Sequence, residues 1–272
     1  LREAYNHCLP LLSEYFTEMG QNPQLYAAYN KIRESAEFCD LSIAQQKVID
    51  NALRDFRLSG IDLGEEQQTR LAEITKQLSE LSSRFSDNVL DATDAWSKLI
   101  VDENQLAGLP ESVLGSAKQA AEQRGEDGYL LTLDIPSYLP LMTYCDDSAL
   151  RREVQEAFVT RASEIGPGEA QWDNSGLMLD ILKLRKEQAG LLGFNNFAEK
   201  SLAKKMARST DEVLEFLEEL VAKSKPMAEK EFAELCKFAH TEYGVDELSA
   251  WDTAYFAEKL KKQKYDVSEE EL

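Results

Sequence analysis

From Glu65 to about Trp96 an apolar residue recurs every three or four positions, and no proline interrupts the run. The stripe is Leu71, Ile74, Leu78, Leu81, Phe85, Val89 and Ala92, with Glu, Gln, Lys, Ser and Asp between its members. Residues three and four apart share one face of an α-helix, whereas a strand would scatter this set over both faces. The run therefore predicts a helix of about eight turns, opening after Gly64.

Other segments repeat the period. Ile43, Val48, Ile49, Ala52, Leu53 and Phe56 follow Ser42, and Gln45 stands at capping-box distance from that serine. Leu177, Ile181, Leu184 and Gln188 run up to a break at Gly190–Gly193. Ser209 and Glu212 form a second capping box, before Val213, Phe216, Leu217, Leu220 and Val221. Pro226 is expected to interrupt that helix, because a proline removes a backbone bond and crowds the preceding turn. Met227 to His240 resumes the pattern through Phe232, Leu235 and Phe238, and Gly244 closes it. Pro10 is expected to kink or divide the opening helix.

One stretch departs from the helical period. Trp96–Val101 and Tyr129–Asp134 are short and rich in β-branched, leucine or aromatic residues, which predicts two strands. Pro110–Gln123 between them reads as a helix. Ile135–Pro140 is expected to be extended or turned, since each proline pushes its predecessor out of the α region. The predicted fold is mostly α, a multi-helix bundle-like lobe with a small two-strand β element at about 96–134. It is read as one body over 1–272: a helical layer at 1–95, a small αβ insertion at 96–145 and a helical layer at 146–272.

Aspartate and glutamate outnumber lysine and arginine by 50 to 30, a formal charge of -20. Such a chain repels polyanions, so neither nucleic acid nor an anionic membrane surface is an expected partner. The charge keeps the chain soluble, and it leaves cationic or peptide partners open. Cys8, Cys39, Cys145 and Cys236 are scattered, with no C-x-x-C pair, and are read as reduced thiols of a cytoplasmic protein.

No catalytic, cofactor-binding or metal-ligating residue is assigned. A zinc peptidase helix needs H-E-x-x-H, with two histidines as ligands and the glutamate as base. Only His7 and His240 exist, and that motif is absent. His240 lies four residues after Cys236, but two donors do not close a zinc site. A half-buried histidine near a helix C-terminus is the competing reading of His240. No nucleophile-elbow, papain-type or nucleotide-binding motif occurs. Tyr129, Tyr138, Tyr144, Trp251, Tyr255, Phe256 and Tyr265 gather in short stretches, either as a peptide-binding wall or as core packing.

Both ends read as cut. A helical stripe of Ala4, Tyr5, Cys8, Leu9 and Leu12 is already running at Leu1, and Ser268–Glu271 has the spacing of a capping box with almost no helix after it. Ordered blocks then carry a likeness. They include Asp50–Phe56, Tyr129–Pro140, Ala149–Glu153, Asn174–Arg185, Ala189–Phe194, Lys205–Ala207 and Ala250–Phe256. In this series the chain resembles the thimet oligopeptidase family of zinc metallopeptidases. The resemblance implies an almost wholly helical parent that hydrolyses short peptides in a narrow channel with a zinc-bound water. It also implies that the zinc ligands lie in a missing C-terminal catalytic lobe, so that this chain binds no zinc, shapes the channel and is inactive alone. The alternative is a standalone helical scaffold for protein–protein interaction.

Overall fold

A computed structural model describes residues 2–168 and 170–267. Among them are eleven α-helices and one two-stranded antiparallel sheet, the mostly α architecture that the periodicity predicts. The helices are α1 (Arg2–Gly20), α2 (Pro23–Glu34), α3 (Ile43–Leu58), α4 (Glu65–Ala95), α5 (Glu111–Gln123), α6 (Ile135–Tyr144), α7 (Ser148–Thr160), α8 (Ser175–Leu191), α9 (Phe197–Leu202), α10 (Thr210–Tyr243) and α11 (Thr253–Tyr265). The strands are β1 (Ser97–Ile100) and β2 (Tyr129–Thr132). The predicted eight-turn helix is α4, with Leu71, Ile74 and Ala92 of its stripe buried and the others half-buried.

The chain forms two compact units. One comprises the chain up to Ser86 together with Gly176–Glu215, and the other Asp87–Ser175 together with the chain from Phe216 onward.

In the first unit, local capping sets the helix starts. The Asn22 side chain accepts from the amides of Gln24 and Leu25, both at 3.0 Å, and Pro23 occupies a first-turn position where an amide would have no helical partner. At α3 both halves of the capping box form: the Ser42 amide donates to Gln45 Oε1 at 2.9 Å, and the Gln45 amide to Ser42 Oγ at 3.4 Å. α2 packs on α3, where Tyr26 and Tyr29 meet the Phe56 ring at 5.6 and 5.7 Å. Gly60 ends α3 with φ +86°, and a Cβ there would stand 2.6 Å from Leu71 Cδ2, so both its backbone angle and the space favour glycine. Arg70 of α4 holds Glu187 of α8 at two points, 2.6 and 2.8 Å. This pair is exposed, so it fixes geometry more than it adds stability.

The second unit is built round the sheet. β1 and β2 pair with Ser97 opposite Thr132 and Ile100 opposite Tyr129. α5 and α6 pack against β2. The core there joins Ile100, Leu106, Leu131, Leu133, Leu141 and Val154. α7 adds a stacked Tyr138–Phe158 pair at 3.9 Å. A satellite cluster of Leu235, Ala239, Tyr255 and Phe256 ties the end of α10 to α11.

Proline behaves differently from the sequence expectation in two places. Ile135–Pro140 is the start of α6, not an extended segment. Pro136 sits in the first turn, where it loses no helical bond, and only Pro140 lies inside the helix. An interior proline costs about 3 kcal/mol. Burying one large apolar side chain returns about 1.5–3 kcal/mol, and α6 buries Tyr138, Leu141 and Met142. Tertiary packing wins. Pro226 likewise does not interrupt α10, which runs unbroken from Thr210 to Tyr243. One lost bond does not end a ladder that is intact on both sides. Of the two outcomes expected at Pro10, division of the helix does not occur, since α1 runs on to Gly20. The Ser209–Glu212 box forms in part: the Glu212 amide donates to Ser209 Oγ at 3.1 Å, while the Glu212 carboxylate takes the Arg208 amide instead of the cap's own. The Ser268–Glu271 signature lies outside the described residues.

Residues on either side of Pro226 are exposed, so no packing compensates for its missing amide. Pro226→Ala should therefore stabilise the middle of α10, by up to about 3 kcal/mol. Hydrogen exchange checks this, with slower exchange expected for amides flanking position 226.

Candidate functional site

The two histidines are apart in kind from any metal site. His7 is exposed on α1. His240 is exposed as well, with a side chain 65% accessible, which corrects the half-buried reading; its Nδ1 is 3.4 Å from the Asp246 carboxylate. Cys236 is half-buried one turn earlier on α10. Among the described residues, no three of His, Cys, Asp or Glu converge closely enough to hold a metal ion. The described residues do not fit a zinc centre.

The aromatic residues divide between packing and surface. Tyr138, Tyr255 and Phe256 are buried, Tyr129, Tyr144 and Trp251 are half-buried, and Tyr265 is exposed. The Tyr129 hydroxyl donates to Glu103 at 2.6 Å and the Tyr255 hydroxyl to Asp146 at 2.7 Å. These bonds anchor the phenols to the protein.

The densest polar arrangement surrounds Arg151, whose side chain is 2% exposed. α7 begins at an Asp147 cap that takes the amides of Ala149 and Leu150 at 2.9 and 3.1 Å. Arg151 Nη2 donates to the Asp252 carboxylate, Nη1 to the Cys145 carbonyl, and Nε to the Trp251 carbonyl at 3.3 Å. Ser148 Oγ donates to the same Asp252 oxygen at 2.7 Å and accepts from Trp251 Nε1 at 3.2 Å. The guanidinium lies 4.1 Å over the Tyr255 ring. Burial first, and then the bond to Asp146, push the Tyr255 phenol above its ordinary range.

This constellation binds and positions. It fastens the end of α6, the first turn of α7 and the turn at Ala250–Asp252 to one another. Burial also raises the Cys145 thiol above its usual pKa, so it stays protonated and inert at neutral pH. Sequence reasoning did not single the cluster out, since no periodicity distinguishes Arg151 from Arg152. The one available signal was that Arg151 and Asp252 both fall inside blocks that carry the family likeness.

Two recesses accompany these features. A cleft of about 570 Å³ runs between α5 and β2, lined by Val113, Ala117 and Leu130 with Thr132 and Ser137 at its edge. A recess of about 380 Å³ lies between α4 and α8, lined by Leu81 and Leu184 with Glu80 and Lys183.

Residues 141–272 match peptidase family M3, and residues 1–68 match the neurolysin/thimet oligopeptidase N-terminal domain. The whole chain is 56% identical to oligopeptidase A of Escherichia coli and 56% identical to that of Haemophilus influenzae, covering 40% of each. It is 38% identical over 281 aligned positions to an organellar oligopeptidase A of Arabidopsis thaliana, covering 35% of it. The chain thus spans about 40% of the length of the bacterial relatives it matches.

Asp252→Ala would leave the Arg151 charge buried without its carboxylate, at a cost of about 3–5 kcal/mol. Arg151→Met strands the buried Asp252 carboxylate in turn and should cost a similar amount, whereas loss of the exposed Arg152–Glu156 pair should cost less than about 1 kcal/mol. Urea denaturation of the three variants tests that order. Thiol mapping tests burial separately: the exposed Cys8 and Cys39 should be alkylated first in the native protein, and Cys145 last.

Proposed function

We infer that the chain belongs to peptidase family M3, and on that premise propose that it is the N-terminal helical part of a zinc-dependent oligopeptidase that hydrolyses short peptides. The observation that carries this reading is a likeness to oligopeptidases A that extends over all of its 272 residues. In the proposed protein a C-terminal catalytic lobe supplies the zinc and its ligands. Both units of this chain then serve as parts of one lobe, residues 1–272, that shapes and charges the peptide channel. A bound metal would acidify a water and polarise the scissile carbonyl. No residue of this chain is assigned a share in that step.

We assign the protein to the cytoplasm. No helix among the described residues is long and apolar enough to cross a membrane. The net charge of -20 disfavours nucleic acid as a ligand and tolerates the cationic ends of peptides.

A standalone scaffold is the second reading, and the surface of α10 favours it. Phe216, Leu217, Leu220 and Val221 lie on that helix, each about half exposed, and such a stripe suits a protein partner. Under the first reading the same stripe is covered by the rest of the polypeptide.

The whole protein is expected to cleave unstructured peptides, to lose that activity to a zinc chelator and to regain it with zinc. The isolated chain is expected to do neither. Zinc bound stoichiometrically by the isolated chain, with chelator-sensitive cleavage, would overturn the proposal. A whole protein that is inert toward peptides but captures folded proteins through α10 would favour the scaffold.

A further inference from the structure

Within an acidic chain, one short stretch is strongly basic. From Lys183 to Arg208 there are seven lysines or arginines and two acids, Glu187 and Glu199, a local balance of +5 against -20 for the whole. The stretch covers the end of α8, all of α9 and the turn beyond it, all in the first unit.

Two of these cations share one aromatic ring. Arg185 of α8 lies 4.8 Å from the Phe197 centroid, and Lys200 Nζ lies 5.2 Å from it. Arg185, Phe197 and Lys200 are each half-buried, so the group is a recessed cluster and not a fringe of mobile side chains. Lys200 donates to the Oε1 of buried Gln188 at 2.9 Å. Among the described residues, neither Arg185 nor Lys200 forms an ion pair with a carboxylate. Lys204, one turn beyond Lys200, pairs instead with Asp55 at 3.2 Å, and that aspartate is shared with Arg54. Burial, then the charges of Lys204 and Arg185, hold Lys200 below the usual lysine range. A ring face attracts a cation by about 0.5–2 kcal/mol, but it does not neutralise one. Two half-buried like charges held together without a counter-ion call for an anion.

We propose that Arg185 and Lys200 form a docking point for a carboxylate of a peptide ligand. This rests on the reading of the chain as part of a peptide-handling protein. A guanidinium offers a planar fork that fits a carboxylate at two points, and the lysine adds a compact charge over the same ring. The field of the whole chain repels small free anions, since its net charge is strongly negative. An anion carried on a peptide body gains further contacts that offset that repulsion, which favours a peptide over a free ion. The carboxylate comes either from the C-terminus or from an Asp or Glu side chain.

Calorimetric titration of the full chain with three short neutral-bodied peptides tests the assignment: one with a free C-terminus, its C-terminal amide, and an amide carrying one internal glutamate. Binding of either acidic peptide at least tenfold tighter than the plain amide is expected, and the stronger of the two identifies the source of the carboxylate. Arg185→Gln and Lys200→Met should abolish the preference while leaving helix content unchanged. Lys200→Arg should retain it, and this separates loss of charge from loss of fold. Equal binding of all three peptides, or a preference that survives in both neutral variants, would overturn the proposal. The readout is binding by this chain alone. It therefore stands apart from any zinc-dependent cleavage by the whole protein.

Discussion

A buried guanidinium sets the terms for the second unit. Removing Arg151 from water is costly by itself, on the order of several kcal/mol. Its charge is tolerable only where Asp252, two backbone carbonyls and the Tyr255 face all surround it. Those partners come from positions 145 and 251–255, so about a hundred residues of chain must close on one point. Apolar packing would permit the turn at Ala250–Asp252 to slide along α7. The ion pair does not, because a shift of one residue strands both charges. Ion pairs of this kind contribute more to a unique arrangement than to net stability, and the neighbouring leucines supply the latter.

From that point the satellite cluster follows. With Asp252 fixed, α11 begins next to α6, and Tyr255 and Phe256 face inward. They receive Leu235 and Ala239 from the end of α10. The earlier part of α10 receives nothing comparable: from Leu214 to Glu234 the residues are exposed. One helix therefore has an anchored end and a long unpartnered stretch. The unpartnered stretch is also where Pro226 is tolerated.

The helices were legible because a 3.6-residue period is written in the order of residues, as α4 shows, and because caps such as Ser42–Gln45 act locally. The strand pair was legible for a similar reason, since Leu99–Ile100 and Tyr129–Thr132 lack the helical period and favour a pleat. What local order could not supply was the outcome at Pro136, Pro140 and Pro226. There the answer depends on whether distant side chains repay a lost bond, and α6 is helical because Leu141 and Met142 are buried by other elements. The same limit hid the Arg151 cluster, whose partners are a hundred residues apart, and misjudged His240, whose exposure is a tertiary property. The Arg185–Phe197–Lys200 group was hidden in another way: net charge averaged a local excess of cations into a much larger acidic total.

Two features without an obvious link share one cause on the proposed reading. The side chains of α10 from Phe216 to Val221 keep about half their apolar surface in water, and the chain covers 40% of its bacterial relatives. A scaffold would account for the first alone. A lobe that works with a further part of the same polypeptide accounts for both, because apolar surface left open by one part is the surface that another part buries. On that reading, chemistry concentrated elsewhere would free this chain from the constraints of an active site, and its strongest polar arrangement serves to hold α6, α7 and α11 together.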